Sequence, residues 1–69
     1  MNVGMVISQG EPEVLWNGFR FANLMLNEFH EVTIFLNGPA VEFRRKDSER
    51  FPIKELAKVF TLSEGVLLA

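Results

Sequence analysis

The sequence contains no cysteine, and this absence excludes several kinds of chemistry. Without a thiol there is no disulfide framework, no thiolate ligand for a metal ion and no thiol nucleophile within these residues. Histidine is almost absent too, because His30 is the only one, and one imidazole cannot build a metal site alone. We therefore predict no catalytic residue, no metal site and no cofactor in this stretch.

An excess of charge of one sign is also lacking. Seven Lys and Arg residues stand against nine Asp and Glu residues, so the formal net charge is -2. Proteins that bind nucleic acid usually carry a basic stripe, and we predict no nucleic-acid partner. The one basic run, residues 44–46, is flanked by Glu42, Asp47 and Glu49. This pattern favours a solvated surface of mixed charge over a phosphate contact.

Long apolar runs are absent as well. No segment reaches the roughly 18 apolar residues that span a bilayer, and the N-terminus has no charged region followed by a cleavage site. These patterns predict a cytoplasmic protein with no membrane partner. What the chain does have is a hydrophobic content of 48% with seven Phe. It requires a core or a partner, although a chain this short buries only about 60% of its surface on folding.

Residues 12–30 organise the predicted fold. Pro12 suits a first helical turn, and apolar residues follow at steps of three and four, which predicts an amphipathic helix. Its buried face is predicted to contain Leu15, Phe19, Ala22, Leu26 and Phe29, widened by Val14, Phe21 and Met25. Strand-forming runs at 2–8 and 31–37 lie before and after it, so the helix is interpreted as a crossover between two parallel strands.

The second half of the chain repeats this pattern. Pro39 is predicted to begin a short helix over 39–45, and residues 46–50 form a charged loop. A further helix is predicted over 53–61, followed by a strand at 66–69. The side chains that these two helices are expected to bury are Val41, Phe43, Ile53, Leu56, Ala57 and Phe60.

Together these elements predict one α/β domain over residues 1–69. Right-handed crossovers favour three layers, with helices on both faces of a parallel sheet in the order 2-1-3 and the first strand central. Gly4 of that strand is then expected to lie under a crossing helix. The hydrophobic last strand is expected at an edge, where unpaired backbone groups invite further pairing. We therefore expect the chain to continue beyond residue 69.

A weak candidate ligand site lies at the carboxyl ends of the first two strands, where open α/β sheets usually bind ligands. Its residues are Ser8, Gln9, Asn37 and Gly38. The first turn has one Gly where a dinucleotide fingerprint has three, and the chain has no phosphate-binding loop. A plain structural turn is the stronger interpretation, and a small-molecule site is the alternative.

The long helix also carries a ridge formed by Trp16, Arg20 and Leu24, which are spaced at four residues on the side away from Leu15 and Ala22. Exposed aromatic and aliphatic side chains around an Arg are typical of association surfaces. The ridge is therefore predicted to be a homo-oligomer interface. The alternative is that another helix of the same subunit, or the stem of Arg20, covers the Trp16 ring.

Four short segments carry a family resemblance: Trp16-Asn17, Arg20-Phe21-Ala22-Asn23, His30-Glu31-Val32 and Phe35-Leu36-Asn37-Gly38. With the opening strand and the segments 47–60 and 65–69, they resemble the DsrE/DsrF-like family of small α/β proteins. The resemblance spans all 69 residues. It implies a flavodoxin-like, DsrE-like fold with about two further strands, assembled into dimers, trimers or hexamers.

Several members of that family act in sulfur relay, in which persulfide sulfur passes between cysteines. The resemblance places their reactive cysteine just beyond Ala69, and this sequence has no counterpart. Persulfide transfer needs a nucleophilic thiolate. The resemblance thus implies an oligomeric subunit that is associated with sulfur relay and its proteins but does not itself carry sulfur. The alternatives are a small-ligand binding module and a non-catalytic structural assembly component.

Overall fold

The computed structural model describes residues 1–69 as three parallel strands, two α-helices and one 3-10 segment. The elements in chain order are β1 (Asn2–Ile7), α1 (Pro12–Asn27), β2 (Glu31–Leu36), the 3-10 segment (Gly38–Lys46), α2 (Ile53–Leu62) and β3 (Val66–Leu68). The three predicted strands and the two longer predicted helices are present, which confirms an α/β chain with a parallel sheet. The helix predicted over 39–45 is a 3-10 segment that is interrupted at Glu42. Neither helix has the length and hydropathy that crossing a bilayer requires.

The strand order is β1-β2-β3, with β2 in the centre. Gly4 pairs with Thr33 and Val6 with Phe35, and the same two β2 residues pair with Val66 and Leu68. The predicted order 2-1-3 with β1 in the centre therefore differs from the structure. β3 does lie at an edge of the sheet, as predicted.

The strand order follows from the side on which α2 packs. Both helices lie on the same face of the sheet, where they pack against each other. When successive right-handed crossovers place their helices on the same face, each new strand is added on the same side of the one before it. β3 must therefore lie beyond β2 and cannot lie beside β1. The arrangement has two layers, one of helices and one of strands, and the predicted third layer is missing.

Three Phe side chains from α1, the 3-10 segment and α2 pack together in the core. The ring centroid of Phe19 lies 5.6 Å from that of Phe43 and 6.3 Å from that of Phe60. Separations of 4.5–7 Å are typical of favourable aromatic pairs. The buried core around them is completed by Ile7, Leu15, Ala22, Val32, Ile34, Leu36, Ala40, Ile53 and Ala57.

Helix α1 ends three residues earlier than predicted. Phe29 has a φ of 66°, and the N–H of His30 donates to the carbonyl of Met25 while that of Phe29 donates to Leu26. This pair of bonds is a Schellman ending, in which the left-handed residue turns the chain out of the helix. The Phe29 ring is consequently 95% exposed, and its predicted place in the core is wrong.

Other apolar residues predicted in the core also lie at the surface. Phe21, Val14 and Val41 are exposed, because α1 and the 3-10 segment are covered by one neighbouring layer only. Leu26 and Met25 are half-buried against the core, and Phe43 is buried. The buried face of α1 is therefore narrower than the sequence predicted, and it still packs α1 against the sheet.

The face of the sheet away from the helices carries no covering layer. We call it the open sheet face. Gly4 lies on it, and a Cβ built there would meet no atom within 4 Å, so the predicted crossing helix over Gly4 is absent. The residues that point to the open sheet face are Asn2, Gly4, Val6, Glu31, Thr33, Phe35, Val66 and Leu68.

We expect Phe60→Ala to lower the free energy of unfolding by about 3–5 kcal/mol, because it removes a fully buried ring from the contact between the helices and the sheet. Phe29→Ala is the matched control and should change it by less than about 0.5 kcal/mol. Urea denaturation followed by circular dichroism measures both. Equal losses from the two substitutions would contradict the described core.

We expect Phe29→Gly to stabilise the protein by roughly 0.5–1 kcal/mol, because glycine adopts a left-handed conformation without the steric cost that Phe29 bears. Part of this gain is offset by the greater freedom of glycine in the unfolded chain. Glu28→Gly is the control, since Glu28 has a φ of -89°, and it should destabilise. Thermal melting of the two variants decides the point, and a lower melting temperature for Phe29→Gly would disprove the assigned helix ending.

Candidate functional site

The turns that follow β1 and β2 lie against each other at the carboxyl edge of the sheet. The N–H of Asn37 donates to the carbonyl of Ile7 at 2.9 Å. A Cβ on Gly10 would lie 2.9 Å from the Cβ of Pro39, so only glycine fits without displacement. Gly38 has a φ of 57°, and a Cβ built on it would lie 3.6 Å from the carbonyl oxygen of Ser8. The structure thus brings the two predicted ligand-binding turns together.

The four predicted ligand-binding residues do not line one cavity. Ser8 and Gln9 border a shallow cleft on the outer side of β1, with Met5, Val14 and Gly18 among its other lining residues. Asn37 and Gly38 do not border it. All four predicted residues are exposed. Close packing between the two turns explains the glycines, and the small-molecule site stays a prediction.

Trp16 is half-buried and has contacts within the subunit. Its ring meets the edge of Phe51 with centroids 5.5 Å apart, and the guanidinium carbon of Arg20 lies 4.3 Å from its centroid. Phe51 comes from the segment before α2, where the sequence offered no signal of this contact. The ring that was expected to face water is therefore covered by Phe51 on one side and by Arg20 on another.

The rest of the predicted ridge borders a groove between the helices. Leu24 and Arg20 are exposed there, together with Phe21. Beneath them the side-chain amide of Asn23 donates to the carbonyl of Leu56 at 3.2 Å. The amide oxygen of Asn23 is buried without a partner. This groove joins α1 to α2, and the homo-oligomer interface at the ridge stays a prediction.

A second cleft, at the amino ends of the strands, holds the only histidine. His30 is half-buried there and borders the cleft with Glu31, Ser63 and Glu64. No group of three or more His, Cys, Asp or Glu side chains lies close enough together to hold a metal ion. The cleft therefore offers polar side chains without a constellation that is typical of catalysis.

The most unusual surface is the open sheet face, which the sequence analysis did not predict. Val6 is 66% exposed, Val66 and Leu68 are each 47% exposed, and Phe35 is 44% exposed. Strands in a parallel sheet are normally covered on both faces. The alternation of exposed and buried residues in β2 was the signal that could have revealed this face, because Glu31, Thr33 and Phe35 alternate with Val32, Ile34 and Leu36.

Comparison with known proteins does not identify a family for this chain. No protein-family model, curated protein or solved structure matches the chain significantly. The resemblance to the DsrE/DsrF-like family accordingly remains a prediction from the sequence. A fold class alone does not specify a function.

We expect Trp16→Ala to lower the free energy of unfolding by about 2 kcal/mol, because it removes the contacts with Phe51 and with the Arg20 guanidinium. Leu24→Ala should change it by less than about 0.5 kcal/mol, since that side chain is exposed. Both are measured by urea denaturation with a circular-dichroism signal. Unchanged stability of Trp16→Ala together with a lost oligomer would instead support the ridge as an interface.

Proposed function

We propose that the chain is an oligomer-forming α/β subunit whose open sheet face contacts a second copy of itself. The observation that supports this is the row of exposed apolar side chains Val6, Phe35 and Leu68, which lie side by side across the three strands. Contiguous exposed apolar surface in so small a domain is typical of an interaction site. The subunit would then act by assembly and would need no catalytic group of its own.

The chemical character of the face favours a protein surface over a polar ligand. The second row, Gly4, Thr33 and Val66, carries no charge. Glu31 is the one ionisable side chain on the face, and it lies at the amino end of β2. Burial of apolar area contributes about 25 cal/mol for each Å² removed from water. Contact with another apolar face would therefore stabilise both copies.

The shape of the open sheet face suits pairing of two identical copies. Phe35 projects from the central strand, and Gly4 leaves open space on the neighbouring strand one row away. A two-fold axis in the plane of the interface can exchange these two positions, so that each Phe35 ring enters the space over the partner's Gly4. Contacts of this reciprocal kind characterise two-fold dimers. The two sheets would then cross steeply, in the orthogonal class of sheet packing.

The size of the face predicts a weak dimer. Three strands about 4.8 Å apart and six residues of about 3.3 Å each span a plan area of roughly 300 Å². Standard stable interfaces bury about 800 Å² on each partner. We therefore expect an association that depends on concentration, with dissociation in the micromolar range or weaker.

The pathway in which such a subunit works is proposed from the sequence resemblance alone. The DsrE/DsrF-like resemblance connects it with sulfur relay, and the absence of cysteine means that these residues carry no sulfur themselves. We propose a scaffolding role beside subunits that do carry a reactive thiol. A mixture with a cysteine-bearing DsrE-like subunit should elute as a mixed complex in size-exclusion chromatography. Separate elution at all ratios would leave self-assembly as the only proposed role.

We expect Phe35→Lys to weaken self-association at least about tenfold, because pairing would bury an unpaired ammonium group. Leu62→Lys is the matched control, since Leu62 is 75% exposed on α2, away from the open sheet face. Sedimentation velocity over a concentration series measures both, and circular dichroism checks that both fold. Association that is equally strong in wild type and Phe35→Lys would refute this interface.

A further inference from the structure

A second candidate binding surface is a cleft beside β3, which three cationic side chains line. Arg44 comes from the 3-10 segment, and Lys54 and Lys58 come from successive turns of α2. The floor of the cleft is apolar and consists of Phe43, Ala57 and Leu67. None of its lining residues is acidic. We call it the basic cleft.

The basic cleft keeps its positive charge because its cations have no carboxylate bound to their side chains. The single ion pair in the protein joins Arg45 to Glu42 at 3.2 Å and involves none of the three. A carboxylate oxygen of Asp47 accepts the backbone N–H of Lys54 at 2.8 Å and is not bound to the Lys54 ammonium group. Three cations and no acidic residue in the lining make the cleft attractive to anions.

The cleft opens directly onto the free edge of the sheet. β3 pairs only with β2, so its outer side presents unpaired backbone donors and acceptors. Leu67, in the middle of β3, points to the helical side and forms part of the cleft floor. A further strand would lie about 4.8 Å beyond β3. Alternate side chains of such a strand would lie on the helical side of the sheet, as the side chain of Leu67 does.

We propose that the basic cleft and the edge of β3 bind an extended acidic peptide segment, which pairs with β3 as a fourth strand. Main-chain hydrogen bonds provide attachment in strand addition, and alternate side chains provide specificity. Here the helix-side positions of the peptide carry Asp or Glu, opposite Arg44, Lys54 and Lys58. The other positions carry β-branched apolar residues, which continue the open sheet face beside Val66 and Leu68.

The charge pattern favours a peptide over a nucleic acid. Three cations in one short cleft match two or three carboxylates spaced two residues apart, roughly 6.6 Å along a strand. The chain as a whole has a net charge of -2 and offers no basic stripe that could follow a phosphate backbone. The free edge of β3 also supplies amide pairing that a nucleic acid cannot use.

The test uses a labelled eight-residue peptide of alternating Glu and Val, titrated into the intact protein and followed by fluorescence anisotropy and amide NMR shifts. We expect shifts concentrated at 54–58 and 66–68. The double variant Lys54→Glu with Lys58→Glu should bind at least about tenfold more weakly, since exposed charge pairs each contribute modestly and reversal adds repulsion. Lys46→Glu is the matched control outside the cleft and should bind within about twofold of wild type.

Two further peptides separate strand addition from simple ion attraction. A version N-methylated on the amides that would face β3 keeps every charge but cannot donate to the edge, and we expect it to lose binding at least about fivefold. Equal binding by the N-methylated peptide overturns the proposal in favour of an anion site. Equal binding by single-stranded DNA or by a Lys-Val peptide overturns it as well. Should the double variant unfold, Lys54→Gln with Lys58→Gln replaces it, and unchanged binding there would also disprove the role of the cleft.

Discussion

The structure depends on the contact between Phe19 on α1 and Phe60 on α2, with Phe43 packed beside them. This aromatic cluster can form only if both helices lie on the same face of the sheet. The twelve buried hydrophobic residues of the structure form one cluster around these rings. Concentrating the large rings in one core is the more stable arrangement, and the other features of the molecule follow from it.

The first consequence is the strand order. Once α2 shares a face with α1, handedness requires β3 to continue beyond β2, and β2 becomes the buried centre of the sheet. The second consequence is that one face of the sheet has no helix over it. In a three-layer arrangement a second layer of helices would bury Val6 and Phe35. In this two-layer arrangement they are exposed and form an apolar surface. The proposed self-association is therefore a result of how the core is placed.

The two proposed binding surfaces differ in chemistry because they arise from different parts of the fold. The open sheet face is apolar because its strands carry hydrophobic side chains on that face and no layer of helices covers them. The basic cleft is positively charged because Arg44, Lys54 and Lys58 lie around its apolar floor beside β3. A flat apolar face suits another flat face, whereas an edge with cations above it suits an extended segment. The fold thus gives the chain two surfaces of different chemistry.

Sequence reasoning was accurate for local structure and failed where a side chain depends on distant partners. The strands and helices were predicted with close boundaries, because proline positions and apolar spacing act within one element. The exposure of Phe29 was not predicted, since its left-handed conformation is formed by the helix ending and not by hydrophobic spacing. Trp16 was expected to face water, and its contact with Phe51 joins residues 35 positions apart, which no periodic pattern reveals.

The amino-acid sequence by itself therefore determined which segments become strands and helices. It also determined that the strands run parallel, because each connection between strands contains a helix, which is the usual crossover between parallel strands. The tertiary structure alone decided which face α2 uses, and with it the strand order, the open sheet face and the basic cleft. A right-handed crossover is possible on either face of a sheet, and the choice depends on the packing of Phe60 against Phe19, a contact between residues far apart in the sequence.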